Sequence, residues 1–212
     1  MKNNRIIIYL YAILAMLCWG STFVWFKVVF KYYQPFTVTF FRLVIASILL
    51  SVFVLISKRN EKIDKADWKW FLLLSFFEPF CYFLGESFGL KFVSASLGSI
   101  IISTIPLVAP FFAFLFLKEQ LTKFGFIGLL ISFMGVVMIV IEESQGSNSI
   151  FGVLLMIFAV FSAVGYGLLL KNLSHKYSSV TIVKTQSILG MLYFLPFFLI
   201  FDFNGFLTIE TN

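Results

Sequence analysis

The chain has 212 residues, of which 60% are hydrophobic and only 12% are charged, and its mean hydropathy is +1.00. A water-soluble domain of this length covers its surface with charged side chains, so the composition excludes a soluble globular protein and a disordered one. The formal net charge of +6 comes from short Lys and Arg clusters between long apolar runs, which is typical of membrane loops and not of a nucleic-acid-binding surface.

Seven apolar runs lie between the charge clusters, and each is long enough to cross a bilayer as a helix. Their approximate bounds are 6–29, 34–56, 70–91, 94–117, 124–141, 150–170 and 180–201. The runs lack the alternation of barrel strands, and lipid leaves only helices or closed barrels as spanning structures. The sequence therefore predicts an all-α, polytopic helical membrane protein with seven transmembrane helices.

The distribution of Lys and Arg predicts the orientation of these spans, because positively charged short loops stay in the cytoplasm. Twelve of these residues fall at the amino terminus and in the second-to-third, fourth-to-fifth and sixth-to-seventh connections, whereas Lys27, Lys31 and Lys91 fall on the other side. We therefore expect a cytoplasmic amino terminus and an external carboxyl terminus. The basic start at Lys2 and Arg5 leads into the first run without a cleavage site, which predicts an uncleaved span.

Cysteine and histidine offer little material for a metal or nucleophile site. Cys18 and Cys81 lie within apolar runs without CxxC spacing, and His175, the one histidine, sits among lysines in a loop segment. The chain also lacks GxxxxGK[ST], GxSxG and HExxH motifs. We expect no cofactor, no metal, no enzyme activity and no ATP drive within this chain.

A gapless shift of 144 residues lays the first two spans over the sixth and seventh. The coinciding pairs are Lys27 and Lys171, Tyr33 and Tyr177, and Thr37 and Thr181. Because five spans separate the paired elements, the repeat returns in the opposite orientation across the membrane, as in secondary transporters. This interpretation divides the chain into a first five-helix repeat, 1–141, and a partial second repeat of two helices, 142–212.

Three stretches resemble the EamA-type drug/metabolite transporter superfamily. They are WGSTF from Trp19 to Phe23, the pair Phe41-Arg42, and the segment 89–122 with its small-residue run STIPL and its terminal KEQLT. The resemblance implies a ten-helix transporter of two inverted halves, of which this chain carries one half and two helices of the other. We expect a fragment of a longer transporter or, alternatively, a chain whose missing helices come from a partner. Glu119 matches a characteristic family position, where we expect a helix-end salt bridge.

Three ionisable residues lie within the predicted spans, where a charged group is costly and marks a functional site by default. Arg42 is in the second span, and Glu78 and Glu86 are in the third. Glu78, Tyr82 and Glu86 are four residues apart, which predicts one stripe of a helix with the carboxylates about 12 Å apart along its axis. Pro79 removes one backbone hydrogen bond and loosens the helix.

Two roles are open for these glutamates. A carboxylate held away from water can take up and release a proton in the physiological range, as a proton-coupled carrier requires. Alternatively, Arg42 pairs with one of the glutamates as a structural tether between the second and third spans. The tether predicts that Arg42 lies close to Glu78 or Glu86.

Other polar side chains in the spans are candidates for lining a substrate cavity. They are Trp19, Ser21 and Thr22 in the first span, Ser99 and Ser103 in the fourth, and Tyr166 and Gln186, which take the places of Thr22 and Arg42 under the 144-residue shift. Small residues at four-residue spacing also permit close helix packing, which is the alternative for Ser99 and Ser103. Gly85 and Gly89 form a GxxxG pair, which predicts a helix contact.

The sequence favours a secondary transporter that moves a small metabolite, an amino acid or an amphipathic compound by alternating access, with proton-coupled efflux as its simplest drive. A half-transporter that needs a partner chain and an accessory or scaffold membrane protein are the alternatives. A seven-span receptor would need an external amino terminus, contrary to the Lys and Arg distribution.

Expected partners are the lipid bilayer, a small-molecule substrate, protons, and a second copy or partner chain. Richness in Lys, Asn, Ile and Phe fits an AT-rich bacterial genome, so we expect the plasma (inner) membrane.

Overall fold

The computed structural model describes residues 2–58, 61–118, 122–143 and 149–207, and within these ranges every regular element is helical. The helices are α1 (Lys2–Val29), α2 (Pro35–Ile56), α3 (Trp68–Ser75), α4 (Tyr82–Phe92), α5 (Ala95–Ile102), α6 (Ile105–Leu117), α7 (Lys123–Glu143), α8 (Ile150–Ser174), α9 (Ser179–Phe197) and α10 (Phe203–Leu207). A single 3₁₀ turn, Lys65–Asp67, precedes α3. Two π-helical segments join neighbouring helices: Phe76–Cys81 joins α3 to α4, and Phe198–Asp202 joins α9 to α10.

Six of these helical runs are long and apolar enough to cross a membrane. They are Ile6–Val29, Pro35–Ile56, Lys65–Phe92, Ala95–Phe116, Ile150–Ser174 and Ser179–Phe206. A seventh, shorter apolar stretch, Lys123–Ile139, lies within α7. The prediction of a polytopic helical membrane protein is confirmed.

The helix starts follow from local sequence. Pro35 opens α2 after an extended Gln34, because proline fixes a helical φ and its missing N–H is not needed in the first turn. Ser149 caps α8 by accepting from the Phe151 N–H, and Ser178 caps α9 by accepting from the Thr181 N–H.

The third predicted span is interrupted at Glu78, and this corrects the prediction of one continuous stripe. Glu78 has φ −144° and ψ 122°, an extended conformation inside an otherwise helical run. Pro79 explains the break, because its ring disfavours the helical conformation of the preceding residue and it donates no backbone hydrogen bond. Tyr82 and Glu86 remain on one face of α4, whereas Glu78 lies outside that regular helix.

The fourth predicted span is also two helices. α5 ends at Ile102, and Ser103 and Thr104 form a turn before α6. Pro106 stands in the first turn of α6, where proline is tolerated. The predicted run 94–117 is therefore confirmed in extent and wrong in continuity.

The most extensive helix contact among the described residues joins α4 to α8, and it depends on glycine. A Cβ on Gly85 would lie 2.6 Å from the Leu155 carbonyl oxygen, and one on Gly89 would lie 2.6 Å from the Met156 sulfur. A side chain at either position would force the two helices apart. The predicted GxxxG helix contact is confirmed.

The helices α2 and α9 pack side by side in opposite directions, and between them they define the two ends of the bundle. At one end Asp202, just beyond α9, contacts Thr37 in the first turn of α2. At the other end Glu61, just beyond α2, contacts Ser178 at the start of α9. We call these the Asp202 end and the Lys176 end, the latter comprising the described residues 57–69 and 171–178. Between them, Gly190 of α9 contacts the ring of Pro79.

Candidate functional site

Glu86 lies in the interior of the bundle on α4, with only 1% of its side chain exposed. Tyr82, one turn earlier, donates its hydroxyl to Glu86 Oε1 at 2.8 Å. The second carboxylate oxygen, Oε2, has no hydrogen-bond partner within the described residues. A buried, unpaired carboxylate oxygen is unfavourable, so this atom is a position where a proton or a cationic group would be stabilised.

Arg42 approaches this oxygen from α2. Its Nη1 atom lies 3.8 Å from Glu86 Oε2, which is an ion-pair distance without a hydrogen bond. The guanidinium carbon lies 4.1 Å from the centre of the Phe83 ring and 5.5 Å from that of Phe26, both within range of a cation–π attraction. Arg42 therefore interacts both with two aromatic faces and with the Glu86 carboxylate.

Arg42 also faces a cavity of about 420 Å³ toward the Asp202 end of the bundle. Tyr33, Thr37, Phe41 and Phe206 are among the other lining residues, and the surface is mostly apolar. A second cavity of about 340 Å³, between α5, α6, α7 and α8, has an apolar lining apart from Thr104. The first cavity therefore combines an apolar surface with an intramembrane cation.

Glu78 lies at the break in the third span, partly exposed. Its carboxylate interacts electrostatically with Glu86, Arg42 and Tyr166. Tyr166 of α8 donates its hydroxyl to Gln186 Oε1 of α9 at 3.1 Å. The structure therefore joins Glu86 to Tyr82 by a hydrogen bond, brings Arg42 within 3.8 Å of Glu86, and places Tyr166 within electrostatic range of Glu78.

The remaining predicted cavity residues lie elsewhere. Trp19 is 39% exposed on α1. The hydroxyls of Ser21, Thr22, Ser99 and Ser103 each donate to a carbonyl three residues earlier on their own helix, at 2.6–2.8 Å. These intrahelical bonds do not connect them to Arg42 or Glu86. Glu119 lies outside the described residues.

Two buried polar contacts of α2 were not predicted from the sequence. The Thr39 and Ser87 hydroxyls lie 3.1 Å apart between α2 and α4, and both side chains are buried. Asp202, 6% exposed, accepts from the Thr37 backbone N–H at 2.9 Å and from the Thr37 hydroxyl at 3.0 Å. The acidic residue at the end of an apolar run was the available signal for Asp202, but the predicted span stopped one residue short of it.

The Lys176 end carries an ionic cluster outside the spans. Lys176 Nζ lies 2.7 Å from Asp64 Oδ2 and 2.6 Å from Asp67 Oδ2, and these hydrogen bonds raise the pKa of Lys176. The Tyr177 hydroxyl donates to Asp67 Oδ2 at 2.6 Å. Glu61 Oε2 accepts from the Ser178 N–H and hydroxyl, both at 3.0 Å, and the bond from the Ser178 backbone is the main cause of a lowered Glu61 pKa.

The described ranges contain no group of three or more His, Cys, Asp or Glu side chains that could hold a metal ion. Inside the bundle, Arg42 of α2 lies near Glu86 and Glu78 of the third span. Such an arrangement can exchange protons and bind a charged group of a solute.

Residues 6–141 match the sequence model of the EamA-like transporter family. The chain belongs to this family. A protein of Archaeoglobus fulgidus named as an uncharacterized transporter is 28% identical over 179 residues, which are 84% of this chain and 63% of that protein. The Bacillus subtilis protein named as the uncharacterized transporter YdfC is 30% identical over 182 residues, which are 84% of this chain and 59% of that one.

This EamA-family chain thus spans about three fifths of the length of these curated relatives. A shorter Haemophilus influenzae protein, named as uncharacterized, is 36% identical over 115 residues, which are 54% of this chain and 88% of that protein. No solved structure matches the chain. Family membership and the apolar helices together make it a multi-pass membrane protein.

Proposed function

We propose that this chain forms the substrate pathway of a secondary transporter, which moves a small metabolite, an amino acid or an amphipathic compound out of the cell by alternating access in exchange for protons. The family match supports a transporter. The coupling of solute movement to protons is inferred from the buried Oε2 of Glu86. This atom has no hydrogen-bond partner within the described residues and lies 3.8 Å from Arg42.

Protonation of Glu86 changes the contact between α2 and α4. In the ionised form, Oε2 attracts the Arg42 guanidinium across 3.8 Å in a medium of low dielectric. A proton on Oε2 removes that attraction and relieves the unpaired buried charge. The freed guanidinium remains between the Phe26 and Phe83 rings, at the edge of the 420 Å³ cavity, and can bind a substrate anion there.

Glu78 is the second coupling candidate. It lies where the third span is interrupted, and discontinuous membrane helices are a common location of transporter binding sites. Tyr166 and Gln186 approach the same region from α8 and α9, so they are proposed to contact the substrate with Glu78. The hydrogen bond between these two residues would open to accept a substrate group.

The other proposed lining residues are Trp19, Ser21, Thr22, Ser99 and Ser103. Each hydroxyl donates within its own helix but keeps lone pairs that accept a hydrogen bond from a solute. The Trp19 ring, 39% exposed, offers a flat apolar surface. These residues are proposed to face the pathway from α1 and α5.

The division into an inverted repeat, 1–141 and 142–212, is part of the proposal. α2 begins at Pro35 and α9 at Ser179, which are 144 positions apart, the same shift that aligns the sequences. The first candidate span begins at Ile6 and the sixth at Ile150, which differ by the same number. The matched helix starts support a repeat that returns in the opposite orientation.

The Lys176 end is proposed to be cytoplasmic, with the amino terminus on the same side, in a bacterial plasma membrane. Its Lys and Arg residues outnumber those of the opposite end, and positively charged short loops stay inside.

The test is solute flux in proteoliposomes that contain the full-length transporter. We expect an imposed pH gradient to drive efflux-direction flux, and Glu86→Gln and Glu78→Gln to abolish the response to the gradient because neither amide binds the proton. Glu142→Gln, at the exposed end of α7, is the matched control and should behave as the wild type. Flux that ignores the gradient in the wild type and is unchanged in both glutamine variants would refute the coupling.

A half-transporter that assembles with a partner chain is the second candidate. The Haemophilus relative, 88% of which is covered by a 115-residue match, has about the length of one five-helix repeat. Native mass spectrometry of the membrane-extracted protein tests this. A complex of two chains supports assembly, whereas a monomer that transports solute rules it out.

A further inference from the structure

The two ends of the α2–α9 pair are closed by contacts of the same kind. At the Asp202 end, the carboxylate that follows α9 accepts from the backbone N–H and hydroxyl of Thr37, in the first turn of α2. At the Lys176 end, the carboxylate of Glu61, which follows α2, accepts from the backbone N–H and hydroxyl of Ser178, the residue that begins α9. The start of each helix is therefore contacted by a carboxylate from the segment that follows the other helix.

The repeat relates these two contacts. The 144-residue shift aligns Thr37 with Thr181, which accepts a hydrogen bond from the Ser178 hydroxyl. The same shift aligns Asp202 with the position three residues before Glu61. The capped residues lie 165 and 117 positions from their carboxylates along the chain. Helix caps normally come from the adjacent residue, yet Gln34 makes no side-chain cap to α2. Asp202 supplies this interaction to α2 only while α2 and α9 remain together, whereas α9 keeps its local Ser178 cap and Glu61 binds that capping residue.

The contacts suit reversible closure. A carboxylate at a helix amino terminus gains from the unpaired N–H groups and from the helix dipole, and water can replace it when the helices part. A contact made only by apolar side chains has no hydrogen bonds that water could replace in this way. Lys176 adds ion pairs to Asp64 and Asp67 at the same end as Glu61, whereas the Asp202 end has aromatic contacts such as Tyr33 with Phe206.

We propose that Asp202 and Glu61 are the closing residues of the two ends of the substrate pathway, each contact breaking when its own end opens while the other stays intact. This inference rests on the proposed alternating-access function. Both contacts are made in this structure, so the α2–α9 seam is closed at both ends, as in an occluded state. Opening at one end rotates α9 about Gly190, which packs against Pro79 of the third span and Leu43 of α2.

The experiment measures access to a cysteine placed between the ends. The reporter is Gln186→Cys in the full-length protein with Cys18→Ser and Cys81→Ser, labelled by a membrane-impermeant maleimide in sealed vesicles of each orientation. We expect Asp202→Ala to raise labelling several-fold from the external face only, and Glu61→Ala to raise it several-fold from the cytoplasmic face only. Ser149→Ala, which removes a local helix cap, is the matched control and should change neither.

Side-specific labelling distinguishes gating from structural capping, because a merely destabilised protein gains label from both faces or from neither. Either of those results, or a gain from the opposite face, overturns the inference. A disulfide between Thr37→Cys and Asp202→Cys is the second measurement, and it should suppress external labelling and spare cytoplasmic labelling. Proton-driven flux without side-specific labelling rejects this inference alone, and side-specific labelling without flux rejects only the transport proposal.

Discussion

The two ends of the α2–α9 pair carry matching hydrogen bonds in different surroundings. Asp202 is 6% exposed, whereas Glu61 is exposed to solvent, although each accepts from one backbone N–H and one hydroxyl. Water competes for the bonds of Glu61 and screens its charge, while the bonds of Asp202 act in a medium of lower dielectric. The same contact therefore stabilises the Asp202 end more than the Lys176 end.

The neighbouring side chains explain this difference. The Phe36 ring stacks on Phe201 at 5.6 Å, and Phe198 meets Phe206 at 6.0 Å, so the Asp202 end is largely aromatic. The Lys176 end gathers charged side chains in connections that reach water. Burial thus gives the Asp202 end strength, whereas the Lys176 end depends on several weak polar contacts acting together.

The largest expected effect is at Asp202. Asp202→Ala leaves the buried N–H and hydroxyl of Thr37 without an acceptor, and such a loss costs about 2–3 kcal/mol of unfolding free energy. Chemical unfolding in detergent, followed by circular dichroism, measures it. Asp202→Asn is the control, because it keeps an acceptor oxygen and should lose about half as much. A loss at Asp202→Ala no greater than at Glu61→Ala would contradict the comparison of the two ends.

The next most sensitive point is Gly190, midway along α9, where Pro79 of the third span and Leu43 of α2 approach it. Gly190→Ala drives a methyl group into the Pro79 ring, and overpacking of this kind costs about 1–3 kcal/mol. Gly167→Ala on α8 is the matched control, because its added methyl meets no atom within 4 Å. Thermal unfolding in detergent should rank Gly190→Ala well below both the wild type and Gly167→Ala. Equal melting temperatures for the two variants would show that the seam yields freely at this point.

At the Lys176 end, Lys176→Ala removes both ion pairs to Asp64 and Asp67. The expected loss of melting temperature is smaller than for Asp202→Ala, and it should disappear at about 1 M salt, because exposed charges are screened. Melting curves at low and high salt for both variants test this. A Lys176→Ala effect that persists in high salt would mean that this end is less solvated than its exposure indicates.

The smallest expected effect is a pH dependence at Glu61. Hydrogen bonds from Ser178 hold the pKa of Glu61 below its ordinary value of 4.5, so the folded state favours the ionised form. Its stabilisation is fully present above pH 4.5 and is lost as pH falls through the lowered pKa. The difference in melting temperature between the wild type and Glu61→Gln should therefore shrink on acidification below pH 4.5. A difference that grows instead would assign the acid response to another group.

Much of the architecture was predictable from the sequence because the bilayer constrains it. Span length follows from membrane thickness, and helices follow from the need to pair every backbone group in lipid. Contacts within one helix were also predictable, because the helix repeat brings residues four apart together. Tyr82 and Glu86 lie one turn apart on α4 and meet as their spacing predicts. The Gly85 and Gly89 contact also follows from spacing, since small residues four apart let a second helix approach.

Contacts between distant elements were not predictable in this way. Arg42 was expected to pair with Glu78 or Glu86, and packing of α2 against α4 brings it to Glu86 at 3.8 Å. Glu78 was expected on the same stripe, but the conformation imposed by Pro79 moved it out of the helix. Hydropathy does not distinguish these outcomes, because all three residues are equally anomalous in an apolar run.

By itself, the sequence determined that this protein crosses a membrane as a helical bundle, where each span lies, and which few polar residues face the cost of burial. The tertiary structure alone decided which of those residues meet. Thr37 and Asp202 are 165 positions apart, and they form a pair because α2 and α9 run antiparallel in contact. Hydropathy and helix period act along one helix, whereas partner choice depends on how separate helices pack across glycines and a proline, which no local pattern encodes.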